Sequence, residues 1–174
     1  MKKQSDWRLG QEVVRIGHIV VLLERMLRNE LTEALSPMSL TVQQYGALFF
    51  ILQREKTTNA NFAKQFFMTP QSANELIRAL EKKSLIVKAP DENHGRIIEI
   101  MLSKEGKRLL RKADAAVLKV EQRMLDCVPR EERSLFRDHL VHCLSTFLPS
   151  LGDELLAVEV LARELSNGVK KITK

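Results

Sequence analysis

Residues 69–104 read TPQSANELIRALEKKSLIVKAPDENHGRIIEIMLSK, and this stretch decides the fold. Thr69 before Pro70 sets a capping hydroxyl ahead of proline at the first helical position, where the amide that proline lacks would have no partner anyway. The helix so opened should run from Pro70 to about Lys83. Leu76, Ile77 and Leu80 fall on its inward face, and Gln71, Ser72, Asn74, Glu75 and Arg78 on its outward face. Beyond it the apolar period drops from helical to alternating. Leu85–Lys88 and Arg96–Leu102 are β-rich, with Ile98, Ile100 and Leu102 on one side, and the polar turn Pro90-Asp91-Glu92-Asn93-His94-Gly95 joins them as a hairpin.

Working outward, Thr41 and Gln44 form a capping-box pattern that opens a helix from Val42 to about Arg54, with Tyr45, Leu48, Phe49 and Leu52 expected to be buried. Thr58 can cap a short helix over Asn59–Phe67. A long helix precedes these, within residues 10–35, carrying Val13, Val14, Ile16, Val20, Leu23, Leu27, Leu31 and Leu35; Ser36 and Pro37 stop it. Downstream, Ser103 can cap a helix from Lys104 to about Cys127 bearing Leu109, Leu110, Ala113, Val117, Val120 and Met124. Pro129 breaks the chain, and a further helix over Arg130–Leu148 places Phe136, Leu140, Cys143 and Phe147 on one face. Residues 154–165 hold another amphipathic turn or two, and residues 166–174 read as a frayed basic tail.

Composition narrows the class. A chain of 174 residues, 44% hydrophobic and 29% charged, suits one domain with a buried core. Seven glycines and five prolines are too few for a turn-rich all-β fold. Two cysteines make no disulfide scaffold, the apolar stretch after Ile16 is cut by His18 and Glu24, and no membrane span is expected, so a cytoplasmic location is expected. The net charge of +6 is unevenly placed. Residues 54–112 hold 13 Lys and Arg against 7 Asp and Glu, whereas the rest of the chain holds 15 of each. Either this is a lysine-rich solvated surface or it is a polyanion-binding segment between neutral elements.

Three helices followed by a two-stranded wing, flanked by long helices, give a mostly α chain of the winged helix-turn-helix type, in which the last helix enters the major groove. The residues Leu40-Thr41-x-x-Gln44, Leu80-Glu81-Lys82-Lys83-Ser84-Leu85-Ile86, Arg96 and Leu102-Ser103-Lys104-Glu105-Gly106 together resemble the MarR family of transcriptional regulators over residues 40–106. Two positions depart from the family pattern. Its glycine before Leu85 is Ser84, at a cost of roughly 1 kcal/mol if that residue closes the helix in the left-handed conformation. Its wing aspartate is His94, so the arginine loses the carboxylate that would orient it.

The resemblance implies that Arg96 inserts into the minor groove. On the preceding helix, Gln71 and Asn74 suit bidentate bonds to adenine and Arg78 to guanine, although Ser72 and Asn74 can equally serve the first turn as capping or solvated residues. Lys64, Lys82 and Lys88 fit phosphate contacts that position without reading sequence, and His94 lies where phosphates would come close. The resemblance also implies a pocket for aromatic or lipophilic anions where the first, second and fifth helices meet. Arg15, His18 and Tyr45 could line it, or His18 and Tyr45 are simply satisfied core polar groups.

Other chemistry finds little support. His139, His142 and Cys143 occupy consecutive turns of one helix but read better as dimer-interface histidines and a buried thiol, and Cys127 and Cys143 would sense oxidants only if exposed with a lowered pKa. There is no phosphate loop, metalloprotease motif or nucleophile elbow, so neither an enzyme nor a cofactor is expected. The expectation is one domain over residues 1–174: a DNA-binding lobe at 40–103 and a helical dimerisation region at 8–35 and 104–165. Its partners would be double-stranded DNA, a second copy and a small aromatic or lipophilic effector, with no membrane. The competing class is a winged-helix module that binds protein, which has no need of segregated positive charge.

Overall fold

Serine and proline end the first helix where expected. In the computed structural model, α1 spans Asp6–Leu35 and passes into a 3-10 turn, Ser36–Met38. The structure describes residues 6–147 except Phe67 and residues 92–94, with side chains from Arg15 onward and not at Gln65. Expectations for Val13, Val14, Phe67, His94, Leu148 and residues 150–174 therefore lie outside the described residues. Ser39 takes φ 52°, and the amides of Ser39 and Leu40 bond back to Ser36 O at 2.8 Å and Leu35 O at 3.4 Å. That paired closure is the Schellman arrangement, here built on serine instead of glycine.

Helix α2, Val42–Arg54, begins with the capping box: Thr41 Oγ1 accepts from the Gln44 amide at 3.1 Å, and Gln44 Oε1 accepts from the Thr41 amide at 3.4 Å. Strand β1 (Thr57–Thr58) and helix α3 (Asn59–Gln65) follow, then α4 (Pro70–Lys82). The wing is β2 (Ile86–Pro90) and β3 (Ile98–Leu102). Helix α5 covers Lys104–Leu125, two residues short of Cys127, and α6 covers Arg133–Thr146 after a 3-10 turn at Arg130–Glu132. Arg133 fastens this corner, its guanidinium donating to Leu125 O at 2.9 Å and Val128 O at 3.1 Å, where helix-end carbonyls lack intrahelical donors.

The sheet has three antiparallel strands in the order β1-β3-β2, not two. Thr57 pairs with Ile100 and Ile86 with Leu102. Two residues are too short to show alternation, so β1 exists only through its partner. The core joins Leu35, Leu48, Ile51, Phe62, Ile77, Leu80, Ile100 and Leu110, all but inaccessible to solvent. The expected inward face of α2 is corrected: Phe50 and Ile51 are buried with Leu48, whereas Tyr45, Phe49 and Leu52 are half-buried. The cause is α3 and its C-terminal cap: Phe62 and Phe66 stack at 4.5 Å between centroids and present edges to Phe50 at 5.9 and 5.5 Å. Ile98, expected beside Ile100, is exposed because it stands near the wing tip, beyond the reach of the helices.

Among the described residues, apolar surface remains open on α1 and α6. On α1, Ile16, Ile19 and Val21 are about 60% exposed. On α6, Phe136 is half-buried but Leu140 and Cys143 are exposed, and Phe147 at its C-terminal cap is 83% exposed.

Candidate nucleic-acid interface

Helix α4 is fixed at both ends before any of its outer residues matter. At its start Thr69 Oγ1 accepts from the Ser72 amide at 3.1 Å, and the two hydroxyl oxygens lie 3.0 Å apart. At its end Ser84 adopts φ 58°; its amide bonds Glu81 O at 2.8 Å, and the Leu85 amide bonds Leu80 O at 3.0 Å. This is the left-handed closure that the Ser84 departure anticipated, again at a residue with a Cβ. Ala73, Ile77 and Leu80 are buried, with Leu76 half-buried beside them. Gln71, Ser72, Asn74, Glu75, Arg78 and Lys82 are exposed on the other side.

These outer residues differ in readiness. Ser72 is engaged by the cap, so its hydroxyl already has a partner. Gln71 Nε2 sits 3.4 Å from Glu75 Oε1, a weak contact readily exchanged for a base edge. Lys64 is exposed on α3. Lys88 donates to Glu81 Oε2 at 2.6 Å, and so meets a phosphate only by sharing or leaving that carboxylate. In the wing, Asp91 N bonds Ile97 O at 2.8 Å, closing the hairpin, and Gly95 and Arg96 are exposed at its turn. His94 lies outside the described residues.

The wing passes directly into α5 through a tight junction. Ser103 Oγ accepts from the Gly106 amide at 2.8 Å and donates to Ser84 O at 2.7 Å, while the Ser103 amide bonds Leu85 O at 3.0 Å. A Cβ at position 106 would lie 2.0 Å from Leu85 O, so only glycine permits this approach of α5 to the end of α4. On the opposite side, Lys56 and Glu99 form an ion pair at 2.8 Å that ties the α2–β1 connection to β3.

The candidate effector residues are not brought together. Arg15 and His18 are exposed on α1, which outruns the core of a single chain; His18 is therefore no core polar group here. Tyr45 is one, half-buried, its hydroxyl donating to Asp114 Oδ1 at 2.9 Å. Burial, then the Asp114 carboxylate, pushes its phenol far above the ordinary tyrosine range. Burial and Asp114 likewise raise the Glu121 carboxyl. Asp114 was missed in the sequence, where nothing distinguishes it from other charged residues of α5. The Cys143 thiol, expected buried, is exposed in the single chain because its face of α6 has nothing packed on it; His139, His142 and Cys127 are exposed too, and no cluster of three or more potential metal ligands occurs among the described residues. None of the described helices is long and apolar enough to cross a membrane.

Residues 38–97, from the turn after α1 through the wing, match the MarR family. The HTH-type transcriptional repressor Rv2887 of Mycobacterium tuberculosis is 28% identical over 110 residues, covering 63% of this chain and 79% of that protein. Over this segment the chain is similar to the MarR family. Among solved MarR-like folds, CouR from Rhodococcus jostii, crystallised with p-coumaroyl-CoA, is 25% identical, with 72% of this chain and 88% of that one covered at a TM-score of 0.66. A mutant MarR from E. coli complexed with operator DNA shares the fold at 19% identity, covering 79% and 96% of the two chains, also at 0.66. The proteins that this chain resembles are transcriptional regulators and not enzymes.

Proposed function

We propose that this chain is a MarR-family regulator, a homodimeric repressor that binds a pseudo-palindromic operator and releases it in response to a small aromatic or lipophilic effector. The observation that carries the reading is the division of α4: Ala73, Ile77 and Leu80 are locked inward, while Gln71, Asn74 and Arg78 stand outward beside a wing bearing exposed Arg96. Gln71, Ser72, Asn74 and Arg78 would meet base edges, Lys64, Lys82 and Lys88 the phosphates, and Arg96 with His94 the minor groove and its walls. Residues 40–103 form the DNA-binding lobe, and residues 8–35 with 104–165 form the dimer. The open faces on α1 and α6 support that division, since apolar surface of this extent calls for a partner.

The effector reading rests on less. An open groove of about 190 Å³ between α1 and α5 is lined by Leu23, Met26, Leu27, Val120 and Met124, and CouR supplies a precedent of an aromatic acyl thioester in this fold. Arg15 and His18 would reach such a molecule only across a subunit interface, whereas Tyr45 is committed to Asp114. The protein would work in the cytoplasm, where its DNA is.

The test is selection of duplexes from a random pool by the purified full-length protein, with sedimentation of the complex. The expected result is a dimer on two inverted half-sites about one helical turn apart, roughly 34 Å, with steep salt dependence. Binding that selects no sequence and ignores salt would favour a protein-binding module instead.

A further inference from the structure

The lysine at the end of α4 is exposed, yet its ammonium is engaged by the protein. Lys83 Nζ donates to Ser39 O at 2.6 Å and to Gln44 Oε1 at 2.8 Å, bridging 44 and 39 residues of chain. Both acceptors belong to the corner between α1 and α2: Ser39 is the left-handed residue that closes that turn, and Gln44 is the reciprocal member of the α2 capping box, only 8% exposed. We propose that Lys83 is a positioning residue for DNA recognition, holding the end of α4 against the α1–α2 corner and acting through the protein and not through a phosphate.

Three features converge on this. An ammonium has three protons, and two are used here on neutral acceptors of the same corner. Turning Lys83 toward a phosphate would surrender both bonds and leave the nearly buried Gln44 oxygen with only the 3.4 Å contact from the Thr41 amide. The next residue, Ser84, is held from the other side by Ser103 at the start of α5. The end of α4 is thus tied to the end of α1 through Lys83 and to the start of α5 through Ser84. Those are the two long helices that also pack on each other through the Glu30–Arg123 pair at 2.9 and 3.0 Å. A change in how α1 and α5 lie is felt at α4 because both ties converge on adjacent residues.

This inference rests on the DNA-binding reading above, and its test separates the two. Full-length wild type, Lys83→Met, Gln44→Met and the double variant are titrated against the selected operator between about 50 and 300 mM salt. The expected result is about tenfold weaker binding by Lys83→Met with an unchanged salt slope, and a double variant no more than about twofold weaker than either single one. A slope shallower by about 0.9 would make Lys83 a phosphate contact and overturn the proposal. Losses that multiply, or no loss at all, would overturn it too. Amide exchange without DNA reads the tie itself: Lys83→Met should expose the Lys83, Ser84 and Leu85 amides to faster exchange, and unchanged exchange counts against it. Failure of wild type to select any operator, with exchange still accelerated, would refute the DNA-binding reading and leave the tie standing.

Discussion

Ser103 and Ser84 are joined by a 2.7 Å hydrogen bond from the Ser103 hydroxyl to the Ser84 carbonyl, and the same hydroxyl caps α5 at the Gly106 amide. The bond can form because Gly106 lets Leu85 O come where a Cβ would stand at 2.0 Å. Gly106→Ala must push α5 away from the end of α4, breaking that clasp. We expect a loss of about 3 kcal/mol in stability, at the upper end of overpacking costs. Urea unfolding measures it; a midpoint equal to wild type would mean that the junction yields without cost.

Ser84→Gly should go the other way. The residue sits at φ 58° with two Schellman hydrogen bonds made through backbone atoms, none of which needs its side chain. Relief of left-handed strain, set against the greater freedom of glycine in the unfolded chain, leaves a net gain of about 0.5 kcal/mol. The denaturation midpoint should rise while operator affinity stays unchanged. A fall would show that the Ser84 hydroxyl has a partner in the working complex.

Tyr45 is the only tyrosine in the sequence, which makes its ionisation directly visible. Burial first, and then Asp114, raises its pKa in the folded chain above the ordinary value of 10.0. A group with a raised folded pKa contributes stability that is whole below the unfolded pKa and lost as pH rises through the folded one. Stability should therefore decline above pH 10.0, with phenolate absorbance appearing together with loss of helix. Tyr45→Phe should remove this part of the alkaline decline and cost about 1 kcal/mol at neutral pH through the unpaired Asp114 oxygen. A phenolate signal well before unfolding would contradict the assignment.

The proposed DNA contacts should be separable by salt. Arg96→Ala should weaken binding across many sequences and reduce the salt slope by about 0.9. Gln71→Ala and Arg78→Ala should relax discrimination at particular base pairs by about 1–3 kcal/mol each, with smaller effects on the slope. Competition with operator variants measures both. An Arg96→Ala protein with wild-type affinity and slope would remove the wing from the interface.

Much of this architecture was legible because its signals are local. Thr41 with Gln44, Thr69 with Pro70 and Ser103 with Gly106 each specify a helix start within four residues, and all three caps are made. The alternation around Ile100 exposed the wing in the same way. What stayed hidden depends on partners far along the chain. Thr57–Thr58 becomes a strand only against β3, Phe50 is buried only because Phe62 and Phe66 close over it, and Tyr45 finds Asp114 across 69 residues. Lys83 was invisible for the same reason, being one of two adjacent lysines with nothing local to mark it.

The packing of α1 on α5 also has a consequence in time. The two helices meet around Glu30 and Arg123, yet 93 residues separate that pair. At a synthesis rate of about 5–20 residues per second, α1 leaves the ribosome roughly 5–20 seconds before the helix that covers part of it. Throughout that interval Leu23, Met26 and Leu27, which face Val120 and Met124 in the folded chain, lack that cover. How much protein survives to fold is then governed by what shields the nascent helix, and a substitution on α1 can lower yield in the cell while leaving the finished protein as stable as before.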